Sequence, residues 1–382
     1  MDPRKFFVDQ DIIRAQGLPK ALFLDPEFHL RTQEIFKISW QFIPPPETDL
    51  RTFPELLAAR GSWAPSRDRK LIITRDSYGT LHCFYNTCSH AGFPAVLFSG
   101  CGTHFECPQH GRKYKLTGEF ASHTGLEEKM TANEKKSAGL YELNLGLWNQ
   151  FFFVNASTAP PKLWDFIKDM HNVIGLLALN RFRRSGEIKE MERVPGSPFL
   201  HILNYLDELH ITYIHGRSLA KAVDMKSYRT EIYPWSVLQW VFAENPQYGF
   251  DPQLLPERFR DAAKRVFALW WFIFPNMAFN FYPWGLSVNM WLPTDRNPET
   301  TIFYRHHYIW DNDKYAGRNE FWADSAVNEE DLAAIQETTR SIKNPSFLRQ
   351  NKFLPDKEQA PHWFHRRLYE LLFEERKTVI PR

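Results

Sequence analysis

Apolar and polar positions alternate over short distances in the first half of the chain, and this spacing predicts strands. Three apolar runs, at residues 71–74, 82–85 and 151–154, are separated by glycine, asparagine, aspartate and serine. Short runs bounded by turn residues are typical of strands, so residues 53–157 are predicted to form a small antiparallel β domain. Upstream, apolar residues spaced among charged ones over residues 27–43 predict a short helix that runs into a strand.

Prolines interrupt this pattern on both sides of the predicted β domain. Three consecutive prolines at 44–46 end regular structure and predict a hinge into the next unit. After the domain, residues 158–197 are interpreted as a linker that contains an amphipathic stretch around 164–177 and leads into a strand. The chain is therefore expected to change from one domain to the next over these residues.

The second half of the chain combines longer strand-like segments with a late helix. Residues 219–250, 268–292 and 300–310 carry the patterns of half-buried and buried strands. The middle segment is apolar enough to suggest a membrane span, but prolines and asparagines interrupt it, and a span needs about 20 mainly apolar residues. We therefore predict strands joined by turns and no membrane segment. Asn328 is a candidate N-cap for a helix that runs to residue 340, with acidic residues in its first turn.

Length and charge set limits on the function. The chain has 382 residues, enough for a large core and for two or three domains. The 47 basic and 45 acidic residues are interspersed, with a net charge of +2, so no nucleic-acid footprint or polybasic membrane anchor is expected. Aromatic residues make up 15% of the chain. Most are expected in the core, and a minority in an apolar pocket.

The four cysteines all lie between residues 83 and 107. The first residues of the chain do not form the charged-then-apolar stretch of a secretion signal, so a cytoplasmic location is expected. Cysteines crowded into one segment of a chain in a reducing compartment favour a metal or cluster site over disulfides.

A carboxylate and two histidines lie within nine residues at Asp207, His210 and His215. Two imidazoles and a carboxylate are the ligand set of a mononuclear non-haem Fe(II) centre with open positions for O2. On a regular helix Asp207 and His210 share a face, but His210 and His215 are separated by about 140° around the axis. We therefore predict that the helix loosens or ends between the two histidines, with Gly216 as its C-terminal glycine.

A second group of metal-binding residues lies in the predicted β domain. Cys88 and His90 are followed, after sixteen residues, by Cys107 and His110. Two thiolates and two imidazoles fit either zinc or a Rieske [2Fe–2S] cluster, and a single-residue gap between ligands is unusual for structural zinc. Another Cys-x-x-His pair begins at Cys101, but Pro108 and Gly111 mark the later pair as the ligand loop. Cys83 and Cys101 are then expected to be small buried core residues.

These motifs, Cys-x-His-x16-Cys-x-x-His followed by Asn-x-x-Asp-x-x-His-x4-His, resemble those of the terminal oxygenase α subunits of Rieske non-haem iron oxygenases. The resemblance implies an α+β protein. It assigns residues 45–157 to the antiparallel β Rieske domain. Residues 158–382 would form a helix-grip (START-like) catalytic domain, an antiparallel sheet covered by helices, onto which a helical segment at 1–44 packs. A weaker likeness, over residues 274–286, is to the choline and carnitine oxygenases of this family.

The resemblance also implies the ligands of two iron centres. Cys88 and Cys107 would bind one iron of a [2Fe–2S] cluster, and His90 and His110 the other. The catalytic Fe(II) would be bound by His210 and His215, and position matching selects Asp331 as the third ligand, with Glu330 as the fallback.

Further roles follow from the same resemblance. Asp207 would hydrogen-bond His210 and reach His90 or His110 of a neighbouring subunit, which implies a homotrimer with electrons crossing between subunits. Asn204 would lie near the open metal position, although buried polar packing explains it equally well. Because no NAD(H)- or flavin-binding signature is present, a separate NAD(P)H-dependent reductase or ferredoxin is expected as electron donor. Arg112 stands where an aromatic residue is frequent in the family.

The expected reaction is hydroxylation or oxidative dealkylation of a small organic substrate by O2. An aromatic pocket suits either a quaternary ammonium group or a flat aromatic ring, and the 274–286 likeness favours an amine or ammonium compound. An aromatic-ring dioxygenase or O-demethylase, a Rieske electron carrier and a zinc-stabilised binding protein are the alternatives. The pocket candidates, of which about half must point away because strand residues alternate, are Trp271, Phe274, Phe279, Phe281, Tyr282 and Trp284.

Overall fold

The computed structural model describes residues 6–46, 50–125, 129–185, 191–310, 325–344 and 350–374. The chain divides into two compact units, Lys37–Leu163 and, on either side of it, Met1–Phe36 with Trp164–Arg382.

Both units contain helices. The eight α-helices of the described residues are α1 Pro26–Ile38, α2 Phe53–Leu56, α3 Ala132–Ser137, α4 Leu163–Ile174, α5 Pro198–Leu206, α6 Leu209–Tyr213, α7 Ser325–Ser341 and α8 Gln359–Tyr369. In the described part of the chain, none of the helices combines the length and the apolar character needed to cross a membrane.

The strands form the sheets of both units. In the smaller unit they are β1 Gln41–Phe42, β2 Ser62–Pro65, β3 Leu71–Arg75, β4 Leu81–Tyr85, β5 Gly100–Cys101, β6 His104–Glu106, β7 Lys113–Lys115, β8 Phe120–Ser122, β9 Glu142–Trp148 and β10 Phe151–Asn155. In the larger unit they are β11 Arg183–Arg184, β12 Met191–Pro195, β13 Arg229–Ile232, β14 Ser236–Phe242, β15 Val266–Ile273, β16 Met277–Tyr282, β17 Gly285–Pro293 and β18 Thr300–Ile309.

The smaller unit is antiparallel, as the short apolar runs predict. One sheet has the strand order β1-β10-β9-β4-β3-β2-β5, and a second consists of β6, β7 and β8. The helix-to-strand transition predicted over residues 27–43 is also confirmed, as α1 followed by β1.

The unit boundaries lie outside those drawn at 44/45 and 157/158 from the sequence. Strand β1 pairs with β10 of the smaller unit, which brings residues before the prolines into that unit. At the other end, the indole of Trp40 donates to the carbonyl of Pro161 at 2.8 Å. Both contacts join segments that are distant in sequence, and for that reason local patterns did not reveal them.

The larger unit is built on one eight-stranded antiparallel sheet. Its order is β11-β18-β17-β16-β15-β14-β13, and β12 also pairs with β18. Strands β15, β16 and β17 occupy the apolar segment at 268–292, which confirms buried strands joined by turns.

Helix α5 anchors the functional part of the larger unit. Pro198 in its first turn has the backbone angle that a helix start requires, and most of its residues are apolar and buried. The ring of Phe199 lies within about 6 Å of four other rings, those of Phe23, Phe28, Phe36 and Phe364. This packing fixes α5 against α1 and α8, and therefore fixes the position at which the chain leaves α5.

Candidate iron centres

Two loops of the smaller unit present the cysteines and histidines of the Rieske motif. In each loop the N–H of the cysteine donates to the carbonyl five residues later, and its own carbonyl accepts from the glycine four residues later. These bonds join Cys88 to Phe93 and Cys107 to Arg112, at 2.7 and 2.8 Å, and Gly92 to Cys88 and Gly111 to Cys107, both at 2.9 Å. Both glycines have positive φ angles, 76° and 71°. The loops therefore share one fold, which a left-handed glycine closes.

The four candidate cluster ligands divide by type and by burial. The side chains of Cys88 and Cys107 are buried, whereas His90 and His110 are exposed. The two imidazole centroids are 4.8 Å apart. Two inner thiolates and two adjacent outer imidazoles are the donor set that a Rieske [2Fe–2S] cluster requires, so the residues present fit this group.

Side chains around Cys88 connect the two loops. The hydroxyl of Tyr114 donates to Cys88 Sγ at 3.1 Å and accepts from the N–H of Ser89 at 2.9 Å. Arg112 is buried, and its guanidinium donates to the hydroxyl of Ser89. Burial alone would raise the pKa of the Cys88 thiol, but the hydrogen bonds from Tyr114 and from the backbone of His90 hold this pKa below its usual value. The site thus favours the thiolate, the form that binds iron.

The two remaining cysteines differ from each other. Cys83 is fully buried on β4, as expected of a core residue. Cys101 is exposed at the end of β5, so its prediction as a buried residue is wrong. The reason is that β5 is an edge strand of only two residues, in which Gly100 is partly buried and Cys101 is exposed. His104 is also exposed, at the start of β6.

His210, His215 and Asp331 come together where helix α6 and the residues after it meet helix α7. His210 lies in α6, His215 two residues after α6 ends, and Asp331 in α7. One ligand atom from each of the three lies within 4.8 Å of the others. Asp331 Oδ1 is 3.0 Å from His215 Nε2 and 3.6 Å from His210 Nε2. Two imidazoles and one carboxylate that converge in this way fit a mononuclear Fe(II).

The backbone reaches this arrangement by a different route from the predicted one. Helix α5 already ends at Leu206, and Asp207 is extended, with φ −84° and ψ 117°, so Asp207 and His210 do not share a helix face. A new short helix, α6, carries His210 and ends at Tyr213, so the predicted helix end between the histidines is present. Gly216 is not its C-terminal glycine, because the C-cap is Ile214 and Gly216 lacks a positive φ.

The break at Asp207 has a local cause. The carboxylate of Asp207 accepts from the N–H of Leu209 at 2.9 Å, and its carbonyl is hydrogen-bonded by His210 Nδ1. A side chain that binds the backbone two residues later competes with helix formation. His210 therefore contacts the main-chain carbonyl of Asp207 and not its carboxylate, which was the group expected from the sequence.

His215 has a hydrogen-bond partner on its far side, whereas Asp331 has one on the same oxygen that faces the histidines. His215 Nδ1 lies 2.7 Å from Glu330 Oε2, which also accepts from the hydroxyl of Ser218 at 2.8 Å. The amide of Asn204 donates to Asp331 Oδ1 at 2.7 Å. Glu330, the fallback ligand, thus binds the outer nitrogen of His215, and Asp331 is the carboxylate on the inner side.

The electrostatics of His210 and Glu330 agree with metal binding, whereas burial of His215 is outweighed by Asp331 and Glu330, which raise its pKa, so metal binding there would release a proton. Burial lowers the pKa of His210, more than Asp331 and Asp207 raise it. The hydrogen bonds from His215 and Ser218 lower the pKa of Glu330. His210 is therefore favoured as the neutral imidazole, and Glu330 as the carboxylate, the forms in which a metal ligand and its hydrogen-bond acceptor act.

Helix α7 differs from its prediction at one end. The described helix begins at Ser325, so Asn328 lies within it instead of capping it, and Asp331 is in its second turn.

A cavity of about 330 Å³ opens beside the three ligands. Its wall includes aromatic side chains, of which Tyr282 and Trp284 were predicted. Four other predicted residues do not line it, namely Trp271, Phe274, Phe279 and Phe281. Trp271, Phe279 and Phe281 have the wrong strand parity, because Trp270 and Tyr282 project from the opposite face of the sheet. Phe274 packs instead on Trp363 and Phe364 of α8.

Several polar wall residues were not predicted. Tyr205 donates to Asn280 Oδ1 at 2.6 Å, and the amide of Asn280 donates to Ser287 at 3.0 Å. His201 and Arg305 also line the cavity. Burial lowers the pKa of His201 to about 4. Residue type alone could not reveal these positions, since they share only a sheet face or a helix face.

Both units of the chain are similar to known protein families. Residues 64–132 match the Rieske [2Fe-2S] domain family, and residues 200–374 match the ring hydroxylating alpha subunit (catalytic domain) family. Choline monooxygenase of Amaranthus tricolor is 25% identical over 311 residues, which cover 79% of this chain and 66% of that protein. The carnitine monooxygenase oxygenase subunit of Acinetobacter baumannii is 22% identical and covers 94% of this chain and 93% of its own length.

A solved structure extends the comparison to the fold. The quaternary ammonium Rieske monooxygenase CntA in complex with L-carnitine has a TM-score of 0.73, with 17% identity, over 93% of this chain and 95% of that chain. This likeness shows the shared α+β fold. The two domain matches place the chain in the family of Rieske non-haem iron oxygenases, as an oxygenase component that carries the [2Fe–2S] domain and the mononuclear iron domain.

Proposed function

We propose that this protein uses O2 and electrons from a separate reductase or ferredoxin to hydroxylate or oxidatively dealkylate a small organic substrate. The observation that carries the proposal is the convergence of His210, His215 and Asp331 at the wall of an aromatic cavity. A metal that only stabilised the fold would be closed off by four protein ligands, whereas the described residues supply three candidate ligands here, with a cavity beside them.

The residues around the metal site have separate tasks. When bound, the mononuclear iron supplies open coordination positions for O2 and the [2Fe–2S] cluster supplies electrons. Glu330 and the carbonyl of Asp207 orient the two imidazoles from outside, and Asn204 orients Asp331. Trp270, Tyr282 and Trp284 cover part of the cavity and keep water from the substrate.

The wall of the cavity supports an amine or quaternary ammonium substrate. Tyr282 and Trp284 are stacked with centroids 5.0 Å apart, and the indole of Trp270 donates to the hydroxyl of Tyr282 at 3.0 Å. Faces of electron-rich rings attract cations at short range. The related proteins named above act on choline and carnitine, both quaternary ammonium compounds. The homotrimer, the reach of Asp207 to a neighbouring subunit and the cytoplasmic location stay predictions.

A single-turnover experiment tests the proposal without knowledge of the reductase. The full-length protein, loaded with iron and sulfide, is reduced chemically, freed of excess reductant and exposed to O2 with a panel of quaternary amines and aromatic acids. We expect product from the wild type and at least about 100-fold less product from His210→Ala, because the iron then loses a ligand. A loss of this size is typical when an essential catalytic group is removed.

The control for this experiment is His104→Ala, which removes an exposed imidazole that contacts neither centre. It should keep wild-type product, and both variants should keep the visible spectrum of the cluster. Full product from the His210 variant would show that the oxygen chemistry takes place elsewhere. Product from no compound, in protein that contains iron, would count against oxygenase activity itself.

A further inference from the structure

One strongly basic side chain lies in the wall of the catalytic cavity. Among the described residues that line it, Arg305 is the only arginine or lysine. Its side chain is 15% exposed. Arg305 projects from β18 on the same face as Phe303 and His307, which also line the cavity. Burial lowers the pKa of Arg305, but the pKa of a guanidinium is ordinarily so far above neutral that the side chain keeps its positive charge.

The charge of Arg305 is only loosely balanced within the protein. Among the described residues its carboxylate partner is Glu192, which is outside the cavity wall, with an Nη2 to Oε1 distance of 3.8 Å. That distance is too long for a hydrogen bond. The guanidinium also lies over the ring of Phe303, 5.7 Å from its centroid. Arg305 Nε has no hydrogen-bond partner among the described residues. A mostly buried guanidinium without a close carboxylate is costly, and its fork of N–H donors matches a carboxylate.

A neutral polar side chain lies beside this guanidinium. Asn289 of β17 is the cross-strand partner of Arg305 and also lines the cavity. The N–H groups of its amide can donate to a ligand oxygen, whereas its Oδ1 only accepts and plays no part in binding a carboxylate. Directly opposed residues of an antiparallel pair have Cβ atoms about 5 Å apart, so an amide and a guanidinium are available to one ligand group. Glu192 would still explain Arg305 as part of an ion pair, but would not explain why both side chains line the cavity.

The aromatic residues lie towards the other side of the same sheet. Trp270 is on β15 and Tyr282 on β16, which are three and two strands away from β18. At about 4.8 Å between neighbouring strands, the backbones are about 10 to 14 Å apart. Long side chains that point into one cavity reduce this gap to the length of a small molecule. Besides Asp331, the described wall residues include no aspartate or glutamate that could pair with a cation.

We propose that Arg305, together with Asn289, binds a carboxylate on the substrate, so that this oxygenase acts on organic acids. The inference rests on the proposed function and narrows its substrate class. Two kinds of molecule have this chemistry: a quaternary ammonium carboxylate, whose cationic end would lie against the aromatic residues, and an aromatic carboxylate, whose ring would stack there. A choline-like cation without an acid group would leave Arg305 unpaired and would bind less tightly.

Binding to acid and ester pairs tests this directly. The full-length protein with both iron centres is titrated under anaerobic conditions in a calorimeter, with γ-butyrobetaine against its methyl ester and with benzoate against methyl benzoate. We expect the wild type to bind one of the acids at least about tenfold more tightly than its ester, since a hydrogen-bonded charge contributes about 1.5–3 kcal/mol. Preference for γ-butyrobetaine would indicate a quaternary ammonium carboxylate as substrate, and preference for benzoate an aromatic carboxylate.

Variants assign the preference to the residue. Arg305→Met should weaken binding of the preferred acid about 10- to 100-fold and leave the ester within about twofold. Arg305→Lys should keep part of the preference, since the charge remains while the planar fork is lost. Arg193→Met is the matched control: it removes an exposed arginine of the neighbouring strand β12, outside the cavity, and should bind both ligands as the wild type does.

Two results would overturn the inference. One is a wild type that binds no acid more tightly than its ester, a comparison that does not depend on any variant folding. The other is an Arg305→Met protein with intact cluster spectrum and unchanged preference. Neither would touch the oxygenase proposal, which the single-turnover product tests separately. Conversely, acid-selective binding in a protein that forms no product would preserve the carboxylate site and reject the oxygenase.

Discussion

The two imidazoles of the mononuclear site are held from outside by different acceptors. His210 contacts a main-chain carbonyl, which any residue would supply, whereas His215 contacts the carboxylate of Glu330. A carboxylate behind a ligating histidine fixes the ring and raises its basicity, and the loss of such a partner commonly costs about 10- to 100-fold in metal affinity. Glu330 is therefore a positioning residue, with its effect transmitted through His215.

Replacement of Glu330 should weaken iron binding without removing a ligand. We expect Glu330→Ala to lower the affinity for Fe(II) about 10- to 100-fold, measured by competition with a chelator under anaerobic conditions. Glu329→Ala is the control, because that neighbouring side chain is exposed. Asp331→Ala should have a larger effect than Glu330→Ala. The reverse order would make Glu330 the third ligand.

The cysteines offer a second residue-scale test within one short segment. Cys107→Ser should abolish the cluster, because its buried thiolate is a predicted ligand, and the visible absorption and the Rieske-type paramagnetic resonance signal should disappear. Cys101→Ser should leave both unchanged, since that thiol is exposed at the end of β5. A cluster that survives without Cys107 but not without Cys101 would restore the earlier Cys-x-x-His pair as the ligand loop.

Spacing along the chain was enough to find the candidate ligands but not their surroundings. Cys88, His90, Cys107 and His110 were predicted from two short motifs because ligands on one loop must be close in sequence. Glu330 and Asp331 are adjacent, and neighbouring residues of a helix project about 100° apart, so only the packed position of α7 shows which one faces the histidines. Arg305 had no local signal at all.

At the scale of elements, local side-chain bonds explain where the prediction of helices failed. The helix expected to carry Asp207 and His210 together is divided in two, because Asp207 binds the N–H of Leu209. The strand pattern at 268–292 was predicted correctly, since continuous burial leaves an unambiguous apolar run. Its facing was not, because β15 contains no polar residue to mark its inner face, and Asn280 and Asn289, which lie on that face in β16 and β17, were interpreted only as interruptions of the apolar run.

The turn between β7 and β8 gives an element-scale prediction about backbone and packing. Gly118 has φ +79°, and a Cβ there would lie 2.3 Å from the ring of Phe84. Gly125 has φ +70°, and apart from its chain neighbours no atom of the described residues lies within 4 Å of such a Cβ. Gly125→Ala should therefore destabilise by about 1 kcal/mol through backbone strain alone. Gly118→Ala should cost about 2–4 kcal/mol, since the buried ring must also move.

Chemical denaturation of the cluster-loaded protein, followed by circular dichroism, would measure both free energies of unfolding. The difference in free energy of unfolding between the two variants is informative, because both place an alanine in the left-handed region and only Gly118→Ala brings a Cβ against Phe84. Equal destabilisation by the two substitutions would mean that the β7–β8 turn has room for a side chain.

At the scale of the whole molecule, the larger unit joins residues from both sides of the smaller one in sequence. The N–H of Leu18 donates to Nδ1 of His365 in α8, at 3.0 Å, across 347 positions of the chain. Phe23 and Phe28 pack on Phe199 of α5, the helix that leads to Asp207. The first residues of the chain thus support the iron site indirectly, through helices at its far side.

The buried histidine in this contact should make stability depend on pH. Burial lowers the pKa of His365 to about 3 from an ordinary 6.5. Between these two values the unfolded chain therefore binds a proton at this histidine and the folded chain does not. Its stabilising effect is complete above pH 6.5 and is lost as pH falls towards 3, at about 1.4 kcal/mol per pH unit, or about 2–3 kcal/mol at pH 4.5. His365→Gln, which can still accept from Leu18 but does not titrate, should flatten this dependence in denaturation curves measured between pH 7 and 4.5, whereas the exposed control His104→Gln should not. A His365→Gln protein with the wild-type slope would place the acid sensitivity at other groups.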